Sequence, residues 1–244
     1  LTHMHGDHVF GLIGLLSTLG LLGRQQQLHI YGPAPLQSIF QPQIDYFCAD
    51  SPFEIMLHEI DSQVPQIVYE DRSVTISTIP LSHRVKCCGY MLKEKQTSPH
   101  IKRDMIDYFN IPISQINNIK AGADWTLDDG TVVPNCRLTT PAAPARSYAY
   151  CTDTKYKPDI AELIPNTNCL YHEATFSQEH MLLAKKTFHS TAEQAAHIAQ
   201  AAHVSQLVIG HFSSRYNDEN LLLEEAKTVF PNTILANEGM KIKL

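Results

Sequence analysis

The sequence is poor in the features that mark secreted, membrane-bound or bulk-charged proteins. Its six cysteines, at 48, 87, 88, 136, 151 and 169, include no C-x-x-C pair. They show no spacing of a disulfide framework, so reduced thiols in a cytoplasm are expected. Charged residues are 18% of 244, with Lys plus Arg 19 against Asp plus Glu 25, a formal charge of −6. That balance excludes a protein coating nucleic acid by bulk charge and leaves room for a local basic patch. The longest apolar run, Val9 to Leu22, is broken by Gly11, Gly14 and Gly20 and is too short to span a bilayer. No charged stretch precedes it, so it is no signal peptide, and no membrane association is expected. Repeats and low-complexity tracts are absent. So is an initiator Met: the chain opens Leu1-Thr2-His3, inside its most informative motif. With 43% hydrophobic residues, an ordinary globular domain with a packed core remains.

Local patterns give an order of elements. Leu28–Tyr31 reads as a short strand stopped by Gly32-Pro33, and a helix follows from Leu36 to Cys48, with Pro42 near its start or kinking it. Glu54–Ile60, Gln66–Glu70 and Ser73–Leu81 read as strands. From Glu94 to Arg146 the character changes. Five prolines and the Asp128-Asp129-Gly130 turn give a weakly periodic excursion with a short helix near Ile101–Phe109. Strand and helix then alternate: strands at 147–152, 168–172, 206–210 and 233–236, helices at 158–163, from 177, at 191–202 and at 217–229. The 191–202 helix has capping-box spacing at Ser190 and Glu193 and an apolar face of Ala195, Ile198, Ala199 and Ala202. Strands first and alternation later predict α/β sheets covered by helices.

The chemistry concentrates in the first eight residues. His3, His5, Asp7 and His8 are four ligand-type side chains in six positions. In an extended segment His3, His5 and Asp7 share a direction, and a turn at Gly6 brings His8 round. Imidazole and carboxylate donors suit zinc, or less selectively manganese or iron. Four donors in one loop serve two metals if other segments complete the shells. Three candidates end apolar runs: His83, Asp153 and His211. Each alone is an ordinary strand-end cap; the threefold repeat of the placement makes them candidate ligands. His189 stands directly before a helix, either as an N-terminal contact or as a group meeting a phosphate or protonating a leaving oxygen, with Glu173 able to orient it. His172 reads as structural. Arg215 either holds phosphate or is solvated or carboxylate-paired.

These residues in this order resemble the metallo-β-lactamase superfamily. The strings Thr2-His3-Met4-His5-Gly6-Asp7-His8, Tyr31-Gly32-Pro33, Gly89-Tyr90, Thr152-Asp153-Thr154, His172-Glu173-Ala174-Thr175-Phe176, His189-Ser190-Thr191 and His211-Phe212-Ser213-Ser214-Arg215-Tyr216 narrow the resemblance to ribonuclease Z, the tRNA 3′-processing endonucleases. It implies an α/β fold, an αββα sandwich over residues 1–244, and an inserted tRNA-binding arm at 94–146. It implies two zinc ions per subunit, one on His3, His5 and His83, the other on Asp7, His8 and His211, with Asp153 bridging. Asp7 is implied as proton acceptor, with Glu173 and His189 as catalytic partners. Lys93, Lys95, Lys102, Arg103 and Arg215 are the implied substrate-binding residues. The implied reaction is hydrolysis of precursor tRNA after the acceptor stem, leaving a 3′-hydroxyl, by a cytoplasmic homodimer. The family's strands before the His-rich loop have no counterpart, which predicts an N-terminally truncated domain with an exposed sheet edge. Two other readings follow: a catalytically impaired form binding tRNA or a partner, and a superfamily hydrolase of another phosphodiester or a thioester.

Overall fold

The computed structural model describes residues Leu1–Leu244. The elements run in chain order as α1 (Gly6–Val9), α2 (Leu12–Leu21), β1 (Leu28–Pro33), α3 (Leu36–Phe47), β2 (Ile55–Ile60), β3 (Ile67–Glu70), β4 (Val74–Pro80) and β5 (Cys88–Glu94). A second group of short elements follows: β6 (His100–Ile101), α4 (Arg103–Tyr108), α5 (Ile116–Lys120), β7 (Trp125–Thr126), β8 (Val132–Val133), α6 (Asn135–Leu138) and β9 (Thr139–Thr140). The chain then forms β10 (Ser147–Cys151), α7 (Ile160–Leu163), β11 (Cys169–Glu173), α8 (Met181–Thr187), α9 (Ala192–Ala201), β12 (Gln206–Gly210), α10 (Asn220–Val229) and β13 (Thr233–Leu235). Two compact units result. One is Leu1–Glu70 with Thr75–Lys93 and Arg146–Leu244; the other is Asp71–Val74 with Glu94–Ala145.

The larger unit holds a seven-stranded sheet in the order β13-β12-β11-β10-β5-β4-β3 and a parallel pair, β1-β2. Strands β10 to β13 run parallel, and β5 is antiparallel to β10. Period-two alternation sorts the faces. In β10, Ala149 and Cys151 are fully buried in the core with Ile160, Ala192, Ala195, Ala196, Ala199, Leu207 and Leu222. Its intervening Tyr148 and Tyr150 face the other way, with Tyr69, Ile76, Tyr90, Leu92 and, from β1, Tyr31, around an apolar groove of about 520 Å³. The run of alanines on α9 removes side-chain bulk, so this helix packs directly over β11 and β12. Helices α2 and α3 cover β1-β2 through Leu16, Ile30, Leu36, Phe40 and Ile44. The fold is mixed α/β.

Several sequence expectations need correcting. Strand β1 runs through Gly32-Pro33 instead of stopping there, because it sits at a two-stranded edge where proline's missing donor costs little. Pro42 lies inside α3 without ending it. Strand β5 carries too little alternation around Cys88-Gly89 to be read in advance. Gly89 is required there because a Cβ would collide with the Tyr150 carbonyl oxygen of the neighbouring strand. The capping box of α9 belongs to Thr191 and Gln194 rather than to Ser190 and Glu193. Ser190 Oγ donates instead to the Thr154 carbonyl at 2.7 Å.

The smaller unit has its own core of Ile111, Ile119, Val133 and Leu138. Two short antiparallel pairs, β6-β9 and β7-β8, accompany it. The Asp128-Asp129-Gly130 turn joins β7 to β8, with Gly130 at φ 84° and Asp129 accepting from the Thr131 amide at 2.9 Å. The Asn135 side chain donates to the Ile119 and Ala123 carbonyls at 2.6 and 2.8 Å, tying the loop to α5.

Candidate metal centre

The site forms where the parallel strands end. Asp153 follows β10, Glu173 closes β11 and His211 follows β12. Both Asp153 (φ 49°) and His211 (φ 62°) sit in the left-handed region, which turns each chain sharply off its strand and presents the side chain at the sheet edge. His83 lies in the loop after β4, and the segment Leu1–His5 runs alongside in extended form, with the Cys88 amide donating to the Thr2 carbonyl at 3.0 Å.

Four imidazoles converge on one carboxylate. His3, His8 and His83 place Nε2 at 3.7, 3.5 and 3.7 Å from Asp153 Oδ2, and His211 places Nε2 at 3.4 Å from Oδ1. These separations are too long for hydrogen bonds. They are about what two donors show when both reach one tetrahedral cation at ~2.1 Å. His3 is fully buried and its Nε2 has no hydrogen-bond partner, an arrangement that costs free energy unless something else satisfies the lone pair. Three donor groups emerge: His3, His5, His83 and Asp153; His8, Asp153 and His211; and Glu173, His189 and His211, each with ligand atoms within 4.8 Å of one another. Asp153 belongs to the first two. The imidazole and carboxylate donors fit zinc.

Electrostatics keep the donors in the metal-binding form. Burial pushes the His3 pKa down to about 4, with neighbouring imidazoles adding to the fall against Asp153. Burial lowers His83 as well. Both rings are therefore neutral at pH 7, as ligation requires. Asp153 is held below the usual carboxylate range. Burial works against this, but His211, the Thr152 hydroxyl, His8 and His3 outweigh it. Outer contacts aim the rings: His83 Nδ1 donates to the Phe188 carbonyl at 3.1 Å, leaving Nε2 for the centre.

Asp7 is placed differently from the expectation. The extended stretch ends at His5 and α1 starts at Gly6, so helical phase replaces period two before Asp7. Its carboxylate is 77% exposed and touches His8 Nε2 at 3.5 Å, at the rim. It is not among the clustered donors.

Beside the metal donors lies a carboxylate–imidazole pair. Fully buried Glu173 accepts from His189 Nδ1 at 2.8 Å through Oε1. It also accepts the Thr154 amide at 2.8 Å and the Ser190 amide at 3.1 Å, so its position is fixed from three directions. Burial disfavours the charged form of His189, but the hydrogen bond and charge of Glu173 prevail and raise its pKa. His189 ends the loop before α9 and lines the same cavity, of about 320 Å³, as His5, Asp7, His83, Asp153 and His211. His172 is structural: its Nδ1 donates to the Glu173 carbonyl at 2.7 Å, away from the site.

Four residues lining this cavity were given no role by the sequence reading: Arg84, which follows His83, Thr175 and Phe176, just after Glu173, and Thr187 at the end of α8. Arg84 and Thr187 carry no local pattern that marks them, whereas Thr175 and Phe176 lie in the His172–Phe176 string. Arg215 stays outside the cavity lining, with its guanidinium over the Phe176 ring at 5.3 Å and Nε on Ser213 Oγ at 3.2 Å. Lys93 is exposed on β5. In the smaller unit Arg103 is exposed at the start of α4, and Lys102 Nζ donates to the Arg137 carbonyl at 3.1 Å.

No family model matches the chain. Among curated proteins it is 52% identical over 244 residues to a ribonuclease Z of Bacteroides thetaiotaomicron, covering 100% of this chain and 77% of that protein. It is 52% identical over 244 residues to a ribonuclease Z of Phocaeicola vulgatus, covering 79% of that protein. Among solved structures it resembles the short form of human tRNase Z, with a TM-score of 0.66 and 22% identity over 100% of this chain and 77% of that one. The metallo-β-lactamase fold protein YhfI from Bacillus subtilis gives 0.61 and 20%, over 98% and 74%. These two likenesses show the fold.

Proposed function

The chain belongs to the ribonuclease Z family of metallo-β-lactamase-fold phosphodiesterases, and on that premise we propose that it cuts the 3′ trailer from precursor tRNA by hydrolysis after the acceptor stem, leaving a 3′-hydroxyl. The observation that carries this is the convergence of His3, His8, His83 and His211 on Asp153 at distances that suit shared cations rather than hydrogen bonds. His3, His5 and His83 would hold one zinc ion and His8 and His211 the other, Asp153 being common to both donor groups; Asp7, at the rim 3.5 Å from His8 Nε2, would join the second as a further ligand from outside that cluster. Zinc bound there supplies a water of lowered pKa and positive charge for the scissile phosphate.

The chain's own groups do the rest. Asp7, exposed at the rim beside His8, accepts the proton that water loses. His189, bound through Nδ1 to Glu173, presents Nε2 to the cavity and holds a proton for the departing 3′-oxygen. Glu173 orients that imidazole and favours its protonated form. Lys93, Lys95, Lys102, Arg103 and Arg215 grip the RNA backbone, the arm at 94–146 contributing through phosphate contacts that do not depend on base sequence. Homodimerisation fits an exposed apolar patch: Leu15 and Leu21 of α2 and Leu22 just after it are exposed, and Leu21 lines one groove with Tyr46 and Phe47. Six free thiols fit a cytoplasmic setting. No helix is long and apolar enough to cross a membrane.

The test compares cleavage of a precursor tRNA and of a small chromogenic phosphodiester by the zinc-loaded chain and by Glu173→Gln. We expect the chain to cut the tRNA after the acceptor stem. Glu173→Gln should lose about 10²–10⁴-fold in kcat with zinc still bound. Cleavage of the small ester alone, with precursor tRNA untouched at every concentration, would refute the substrate assignment.

A further inference from the structure

Thr175 lies two residues after Glu173, and its hydroxyl stands between the two halves of the site. Oγ1 lies 2.6 Å from Glu173 Oε2, 2.8 Å from His211 Nδ1 and 3.4 Å from His189 Nδ1. We propose that Thr175 is a positioning residue that fixes the tautomer and aim of His211 and locks it to the Glu173–His189 pair. This rests on the reading above, in which His211 is a zinc ligand.

A hydroxyl has one proton to donate. Glu173 is an acceptor only, fully buried, and the 2.6 Å contact is the short distance of a charge-assisted O–H···O bond. The Thr175 proton therefore goes to Glu173. Toward His211 the hydroxyl can then only accept, so the His211 proton sits on Nδ1. Its lone pair is left on Nε2, the nitrogen that faces Asp153 Oδ1 at 3.4 Å. The contact to His189 is long, and that ring's Nδ1 proton is already directed at Glu173 Oε1 at 2.8 Å. A single buried carboxylate thus orients His189 directly and His211 through one hydroxyl.

The backbone holds Thr175 in place for this. Its carbonyl accepts the Ser213 amide at 3.1 Å, its amide donates to Glu173 Oε2 at 3.3 Å, and the Ala174 amide donates to the Gly210 carbonyl at 2.8 Å. These bonds tie the segment after β11 to the segment carrying His211. Two heavy atoms on the Thr175 Cβ restrict its rotamer, which keeps the hydroxyl between its partners.

The experiment pairs Thr175→Val, which keeps the shape and removes the hydroxyl, with Thr175→Ser, which restores it. Zinc affinity is measured by competition with a chromogenic chelator, and kcat and KM on precursor tRNA are measured separately. We expect Thr175→Val to bind one zinc equivalent about 10- to 100-fold more weakly, with kcat lowered and KM little changed, and Thr175→Ser to recover to within about threefold. Wild-type affinity and turnover in a folded Thr175→Val, or a Ser variant as impaired as the Val, would overturn the assignment. Long-range ¹H–¹⁵N correlation of the His211 ring in the unsubstituted, zinc-free chain needs no variant. A proton on Nδ1 upholds the inference and one on Nε2 overturns it, whether or not the chain binds zinc or cuts RNA. Failure of the unsubstituted chain to bind zinc defeats the zinc reading instead.

Discussion

Asp153→Asn is the most informative perturbation, because the structure lets charge be removed without disturbing shape. The residue occupies φ 49°, where Asn is as acceptable as Asp. The Thr152 hydroxyl donates to Asp153 Oδ1 at 2.7 Å, a bond that an amide oxygen can equally accept. The fold should therefore survive. What is lost is the negative charge faced by four imidazole nitrogens at 3.4–3.7 Å. A cation held by those nitrogens lies no farther from the carboxylate than they do. At ~4 Å and an effective dielectric of ~20, one unit charge against another is worth about 4 kcal/mol. That is a factor on the order of a thousand in affinity, and a floor, since the distance is shorter and the ion doubly charged. The assay is zinc per chain by elemental analysis after dialysis, a chelator competition for affinity, and precursor-tRNA cleavage, with circular dichroism to confirm folding. Both metal equivalents and cleavage should be lost together. A folded Asp153→Asn that keeps two tightly bound zinc ions and full turnover would show that Asp153 does not bridge the site.

Gly89→Ala drives a methyl into the Tyr150 carbonyl and should cost about 1–3 kcal/mol, lowering Tm by roughly 2–12 °C for a chain of this size; an unchanged melting curve contradicts the strand register. In the chelated protein, burial lowers the pKa values of His3, His83 and His172. The unfolded chain, with His near ~6.5, takes up those protons first as pH falls. Stability is thus present above about pH 6.5 and is lost toward about pH 4. His189, raised, opposes this as one group against three. The urea midpoint should be lower at pH 5.5 than at pH 7.5, and an equal or higher value refutes the assignment of neutral buried rings. Replacing Lys102 and Arg103 together by Ala should raise KM for precursor tRNA and reduce the salt dependence of binding by up to about two units of slope, leaving a small phosphodiester unaffected; no change in either quantity removes them from the RNA-binding surface.

Much of the site was legible because ligand chemistry is written in residue type. Imidazole and carboxylate groups at His3, His5 and His8, and at the strand ends His83, Asp153 and His211, are few enough and regular enough in placement to stand out. Parallel strands inevitably deliver their last residues to one edge. Asp7 shows the limit. Period two put it with His3 and His5, but α1 begins at Gly6, and a helix turns each residue by about 100° rather than 180°. Its carboxylate therefore stands at the rim. The capping box moved by one residue for a similar reason. Ser190 was recruited by the Thr154 carbonyl, a contact made across 36 residues that no local pattern encodes.

The sequence by itself determined the candidate donors other than Asp7, the α/β alternation and the family, since those depend on residue identity and on periods of two and 3.6. Tertiary structure alone decided three other things. It made Asp153 the common neighbour of four histidines. It placed Thr175 between Glu173 and His211. It assigned Asp71–Val74 to the same unit as Glu94–Ala145. Each is a relation between segments far apart along the chain. Backbone pairing and core packing fix such distances, and residue order carries no direct record of them.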